Sequence, residues 1–188
     1  MTDNMQVAKT LLDVVGGKPR VIEYKDNNNV SAIDIFIGND RPKEGVTTYS
    51  TIGLSAFPIG IKAEKHVRVE FIGACYSNTD KFANIISSCA FNIINSSFSC
   101  KPGMAYPNVV KEYYPNSNMK HIFFTTPYLW DSVLRLEFDQ AVVTWLMAVP
   151  ISQDEFDYLK TEGSDALVKL FVDKNINVFD INRAVVSI

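Results

Sequence analysis

Histidine is scarce in this chain: His66 and His121 are the only two among 188 residues. Neither lies in an H-E-x-x-H pattern or beside paired cysteines, so no bound metal or cofactor is expected. Cysteine is nearly as rare. Cys75, Cys89 and Cys100 form no C-x-x-C. An odd number at wide spacing is a poor disulfide framework, which predicts reduced thiols in a cytoplasmic protein. A basic excess is also missing: 18 Lys and Arg stand against 21 Asp and Glu, for a net charge of -3. Phosphate-binding surfaces need clustered cations, so direct nucleic-acid binding is not expected, whereas a basic protein partner is permitted. No segment approaches the ~18 uninterrupted apolar residues of a membrane span. The opening "MTDNMQVAKTLLDVV" has early acids and no apolar run of signal-peptide length. These absences predict a soluble, cytoplasmic chain without a membrane partner.

Common catalytic motifs are missing too. "GLSAF" at 53–57 lacks the second glycine of G-x-S-x-G, and "GGKPR" lacks the spacing of a phosphate loop. Cys100 stands next to Lys101, whose charge favours a thiolate. A small hydrolase using Cys100 or His121 is therefore one reading. An incidental thiol and a strand-edge histidine are the plainer ones.

What is present is a core. Hydrophobic residues make up 47% and charged residues 21% of the chain, enough for one domain over residues 1–188. Met5, Ala8, Leu11, Leu12 and Val15 recur at helical spacing, with Asp3 as cap and Gly16-Gly17 as stop. "RVIEYK", "SAIDIFIG" and "VTTYSTIGLS" read as strands. "HVRVEFIGA" alternates Val67, Val69 and Phe71 against Arg68 and Glu70, as a strand with one solvated face does. A middle helix carries Phe82, Ile85, Ile86, Cys89 and Ile93 on one stripe, capped by Asn78 or Thr79. Residues 99–118, with three prolines and a glycine, should be largely irregular. "HIFFTTP" follows as a strand. "LRLEF" and "AVVTWLMAV" form a hairpin or neighbouring strands, and the second is apolar enough to be a central strand covered on both faces. The tail "NVFDINRAVV" is expected to end as a strand. The irregular order of elements predicts an α+β fold, a mixed and largely antiparallel sheet packed with helices.

At "VPISQDEFDYLKTEG" the chain turns abruptly acidic. Ser152 and Glu155 have the spacing of a capping box, and Ile151 and Phe156 that of a hydrophobic staple. This is a strand handing over to a helix, with a second helix after Gly163 bearing Leu167, Leu170 and Phe171. Glu137 and Asp139 share one side of a presumed strand, and Asp154 and Asp157 one helix face. With Glu155, Glu162 and Asp165 they read as one acidic region opposed only by Lys160. That region either steers a basic partner or is a solvated face. Tyr128 and Trp130 follow Pro127 in a loop. Trp130 leans toward the core, and Tyr128 is open between core and contact.

Several segments together resemble the suppressor-of-fused domain family: "TTYSTIGLS", "VRVEFIG", "MKHIFFTTP", residues 142–171, and "DINR" near the end. The likeness runs from about Ile33 onward and is nearest to the short bacterial members. Those are immunity proteins, or antitoxins, encoded beside an LXG-type toxin with a nuclease domain. The resemblance implies a suppressor-of-fused-like, non-catalytic protein-binding domain whose partner is a cognate toxin. A peptide-binding adaptor for an endogenous protein is the alternative. In the animal members an acid follows a glycine after the middle helix and helps hold a peptide, whereas here Met104 follows Gly103. Phe98, Cys100, Lys101, Gly103 and Met104 are the contact zone that the resemblance implies. Tyr128, Trp130, Asp154, Asp157 and Glu162 complete the candidate partner-binding set.

Overall fold

The computed structural model describes residues 3–61, 63–130 and 135–188. Helix α1 (Asn4–Val15) opens the chain, with the Asp3 carboxylate accepting from the Met5 amide and Gly16 closing it at φ +71°. Strands β1 (Arg20–Lys25), β2 (Ala32–Asn39), β3 (Val46–Ile52) and β4 (His66–Tyr76) then run as an antiparallel meander. Helix α2 (Phe82–Ser96) crosses over to β5 (Ala105–Tyr106), α3 (Val109–Tyr113) and β6 (Met119–Thr125). Strands β7 (Arg135–Glu137) and β8 (Ala141–Ser152) form the expected hairpin, although Leu134 lies outside the described residues. Helices α4 (Gln153–Glu162) and α5 (Ser164–Asp173) follow.

Among the described residues the strands form one sheet in the order β1-β2-β3-β4-β8-β6-β5, with β7 also on β8. Only β4 and β8 pair in parallel. The fold is thus the expected α+β arrangement. The sheet is covered on both sides, as the charge-free run of β8 required. One core packs Val69, Phe71 and Leu146 against Phe82, Ile86 and Cys89 of α2. The other packs Phe36, Trp145 and Val149 against Val7 and Leu11 of α1 and Leu167 and Phe171 of α5. At Gly73 of β4 an added Cβ would stand 2.9 Å from the Phe82 ring, so glycine lets α2 seat directly on the sheet.

Four local expectations are corrected. The face of β4 carrying Glu70 is not solvated; Glu70 is fully buried. Its carboxyl accepts the Thr51 hydroxyl at 2.5 Å and the backbone amides of Gly53, Leu54 and Ser55 at 3.0–3.2 Å. Those amides are free because the chain leaves β3 at Ile52 and turns through a 3-10 segment (Leu54–Ala56), with Gly53 at φ +102°. "GLS" is therefore not strand. Burial nonetheless pushes the Glu70 carboxyl above its ordinary pKa, against the pull of these donors. Helix α2 begins at Phe82, beyond Asn78 and Thr79, with no side-chain cap of its own. The Tyr114 hydroxyl accepts from the Lys81 amide at 2.8 Å and donates to Asp80 at 2.7 Å, which supplies the cap from the α3 side. Residues 99–118 are largely irregular, as expected, with the short β5 and α3 inside them.

The tail after α5 is not a strand. Arg183 is buried and donates to both Glu155 oxygens at 2.6 and 2.7 Å and to the Pro150 carbonyl at 3.2 Å. Glu155 is the expected capping-box residue, accepting from the Ser152 amide at 2.9 Å while Ser152 accepts from the Glu155 amide. One carboxylate therefore caps α4 and pins the last turn of the chain beneath β8.

Breaking a buried pair leaves an uncompensated charge, which typically costs about 3–5 kcal/mol. Arg183→Met should lose stability of that order in urea unfolding. Adding Glu155→Gln, which keeps the cap while removing the stranded charge, should restore more than half of it.

Candidate protein-binding surface

Residues 97–104 leave α2 and return as the edge strand β5. Phe98 is 48% exposed and meets the Tyr106 ring edge-on at 5.9 Å. Lys101 is exposed in the following turn. Gly103 has φ +90°, and an added Cβ would lie 3.0 Å from Ser164, so only glycine brings this loop against the start of α5. Met104 is half-buried, and its carbonyl accepts from the Phe124 amide. Cys100 is buried within the α2 core, and burial pushes its thiol up to about 12. This favours the incidental thiol over the Lys101-activated thiolate and removes the Cys100 side chain from the contact surface. Cys75 and Cys89 are buried free thiols as well.

Two adjoining grooves open between the end of β6 and α5, each of about 550 Å³. They share Phe123, Thr125, Thr126 and Val168. Gly103 borders one and Tyr128 the other, so the fold aligns two predicted residues along a single trough. Tyr128 is 54% exposed, while Trp130 is buried in the α5 core. Trp130 is thereby core rather than contact. Asp131 onward in that loop lies outside the described residues. Sequence reasoning missed Thr126 and Val172 as trough residues. Val172, 73% exposed beside buried Phe171, breaks the apolar periodicity of α5, and that irregularity is the signal that marked it.

The acidic region divides. Glu137 stands near the start of β8 and α4 at its end, and twelve strand residues separate their neighbourhoods by roughly 35 Å. Glu137 pairs with Arg135 at 2.8 Å and Lys65 at 3.9 Å. Asp139 is in the turn, not on the strand. Glu155 is interior. Asp157 accepts from Gln153 at 2.9 Å and from Lys160 at 3.4 Å, which hold its carboxyl below the usual range. The acids exposed on α4 and α5 are Asp154, Asp157, Glu162 and Asp165, and Asp165 borders the trough.

His121 is committed on both nitrogens. Nδ1 accepts from the Asn108 amide at 2.9 Å, so Nε2 carries the proton and faces the Gln153 carbonyl oxygen at 3.1 Å. The ring stacks on Phe156 at 4.4 Å. Together with the buried Cys100 thiol, this leaves no nucleophile–base pair between them. Among the described residues no cluster of His, Cys, Asp and Glu could hold a metal ion. No helix there is long and apolar enough to cross a membrane. What the arrangement offers is an exposed loop, a trough and an acidic flank, which is the equipment of a binding surface.

The suppressor of fused protein (SUFU) profile matches residues 29–184. The chain belongs to this family. It is similar to immunity protein YqcF of Bacillus subtilis (strain 168), being 46% identical over 183 residues that cover 96% of this chain and 95% of that protein. Among solved structures, a SUFU homologue from Neisseria gonorrhoeae FA 1090 superposes with a TM-score of 0.73 at 18% identity, covering 97% of this chain and 95% of that one. The Sufu–Fu complex gives 0.63 at 10% identity, over 89% and 82%. Drosophila Suppressor of fused gives 0.61 at 8% identity, and there the match spans 45% of the longer chain. At these identities the solved structures speak for the SUFU fold alone.

Burial lowers the pKa of His121, and protonation would set a proton on Nδ1 against the Asn108 amide. The unfolded chain then binds the proton more readily than the folded one, so stability falls as pH drops through the ordinary histidine value of about 6.5. Urea midpoints measured at about pH 7.5 and 5.5 should decrease in that direction, and His121→Leu should flatten the difference.

Proposed function

We propose that this protein is an immunity protein that neutralises a cognate LXG-type toxin with a nuclease domain by direct, stoichiometric binding in the cytoplasm. The observation that carries this reading is the 46% identity to an immunity protein across nearly the whole of both chains. No catalytic step is assigned. Inhibition follows from occlusion, for which a specific interface of roughly 1,600 Å² suffices.

The contact surface in this proposal is the Phe98–Met104 loop and the trough that continues to Tyr128. Exposed Phe98, Tyr128 and Val172 supply apolar anchors. Asp154, Asp157, Glu162 and Asp165 are exposed on α4 and α5, and Asp165 borders the trough, an arrangement suited to a cationic, phosphate-binding toxin face. An adaptor reading, with an endogenous peptide along edge strand β5, is favoured by the open trough beside that strand.

Co-expression with an LXG-type toxin bearing a nuclease domain, taken from the same genome, separates the two readings. The expected outcome is restored growth and co-purification as a one-to-one complex. Loss of protection with retained pull-down of a host protein would favour the adaptor.

A further inference from the structure

The trough beside α5 changes character along its length. Val168, Phe171, Val172, Ile176 and Val178 make one end apolar, with exposed Tyr128 at the rim. Gly103, Ser164 and Asp165 make the other end polar. Thr125 lines both. It has the same parity on β6 as Phe123, whose ring belongs to the α5 core, so its side chain leaves the sheet on the α5 side.

Two polar features of this trough lack partners within the chain. The first is the start of α5. Helix α1 is capped by Asp3, α4 by Ser152 with Glu155, and α2 borrows the Tyr114 hydroxyl for the Lys81 amide. Helix α5 has no side-chain cap. Among the described residues the amides of Ser164, Asp165 and Ala166 meet no acceptor. The first amides of a helix are orphans unless something outside the helical ladder receives them. Self-capping is blocked here. The cap position is Gly163 at φ +87° and ψ 174°, a region of backbone space that belongs almost wholly to glycine, so no Ser, Thr, Asp or Asn fits there. The second feature is Thr125. It is 8% exposed, and among the described residues its hydroxyl makes no hydrogen bond. A hydroxyl at that depth ordinarily has a partner.

We propose that one short segment of the bound toxin fills this trough, setting an apolar side chain between Tyr128 and Val172 and a neutral side-chain oxygen, from Asn, Ser or Thr, against the open start of α5 and the Thr125 hydroxyl. The proposal rests on the toxin reading above and adds what the toxin must present. The oxygen caps α5 from outside, accepting from its first-turn amides as an N-cap residue does. The Thr125 hydroxyl both donates and accepts, so it complements an amide or a hydroxyl equally. Charge decides the oxygen's kind. A helix N-terminus alone favours a carboxylate. Here Asp165 already stands in that first turn and the chain carries a net charge of -3, so a second carboxylate would be repelled. Length decides the rest. From Asp165 to Val172 the helix rises roughly 10 Å, a span that one loop or strand covers, so the apolar group and the oxygen belong to the same stretch of toxin.

The purified complex with an LXG-type toxin bearing a nuclease domain, taken from the same genome, tests this by amide hydrogen exchange and by affinity. The Ser164, Asp165 and Ala166 amides should exchange at least about 10-fold more slowly in the complex than in the free chain. Thr125→Val, which keeps the shape and removes only an unpartnered hydroxyl, should melt as the wild type does and bind the toxin roughly 5- to 10-fold more weakly. Tyr128→Ala should weaken binding by about 30-fold or more. In an alanine scan of the toxin segment that becomes protected, the largest polar loss should fall on an Asn, Ser or Thr; a loss centred on Asp or Glu overturns the neutral cap. A complex that forms while those amides stay unprotected and Thr125→Val binds normally overturns the proposal and leaves the immunity reading standing. A toxin neither bound nor neutralised overturns both. Protection already present in the free chain, and rising with its concentration, assigns the trough to a second copy and overturns the proposal as well. If Thr125→Val misfolds, amide protection and Tyr128→Ala still decide.

Discussion

A carboxyl group taken wholly out of water must be met by donors from all sides, and Glu70 is met almost entirely by backbone. Thr51 gives a hydroxyl, and three consecutive amides from Gly53 to Ser55 converge on the two oxygens. Among the described residues no cation takes part. The demand runs both ways. Those amides have left the β3 ladder and need an acceptor, and the carboxyl needs them. Thr51 in turn accepts from the Phe71 amide at 2.8 Å, which joins the turn to the middle of β4. The path of the chain from β3 to β4, and with it the register of the meander, depends on this cluster.

The other end of the sheet is joined by the same kind of device. Glu155 caps α4 and holds Arg183, so strand β8, helix α4 and the tail close on one buried ion pair. Between the two joints Trp145 donates from Nε1 to Ser50, whose hydroxyl reaches the Phe71 carbonyl at 2.7 Å. The segments that carry the SUFU resemblance meet at these places: "TTYSTIGLS" and "VRVEFIG" around Glu70, and "VPISQDEF" and "DINR" around Arg183. Their most specific residues are interior joints and not contacts. A family can share such joints while its surfaces diverge, which accords with a TM-score of 0.73 at 18% identity to the Neisseria protein.

Local patterns were readable where one element decides its own fate. The Asp3 cap, the Ser152–Glu155 box and the apolar run of β8 all follow from short-range chemistry, and each is present. Long-range partners were not readable. Alternation along β4 assigned Glu70 to water because nothing in "VRVEF" tells of amides from a turn fifteen residues earlier. The tail read as a strand because its apolar residues recur, but Arg183 is fixed by a carboxylate 28 positions away. The acidic region looked single because Glu137 and Asp154 are close in sequence, although an extended strand places them at opposite ends of the sheet. On the candidate surface, Gly103 and Tyr128 lie along one trough, Trp130 is in the core toward which its sequence reading leaned, and Cys100 is in the core with no sequence cue to its depth.

In the proposed reading, labour is divided between interior joints and an exterior, the trough and the exposed acids beside it, that binds a partner. The claim on which this division rests is that the Glu70 cluster is a rigid joint. Amide hydrogen exchange under native conditions tests it most directly. If the joint is rigid, the Gly53, Leu54 and Ser55 amides exchange only through global unfolding, with the same free energy as the slowest amides of β4 and β8. Fast exchange of those three amides by local opening, with β4 still protected, would contradict the account.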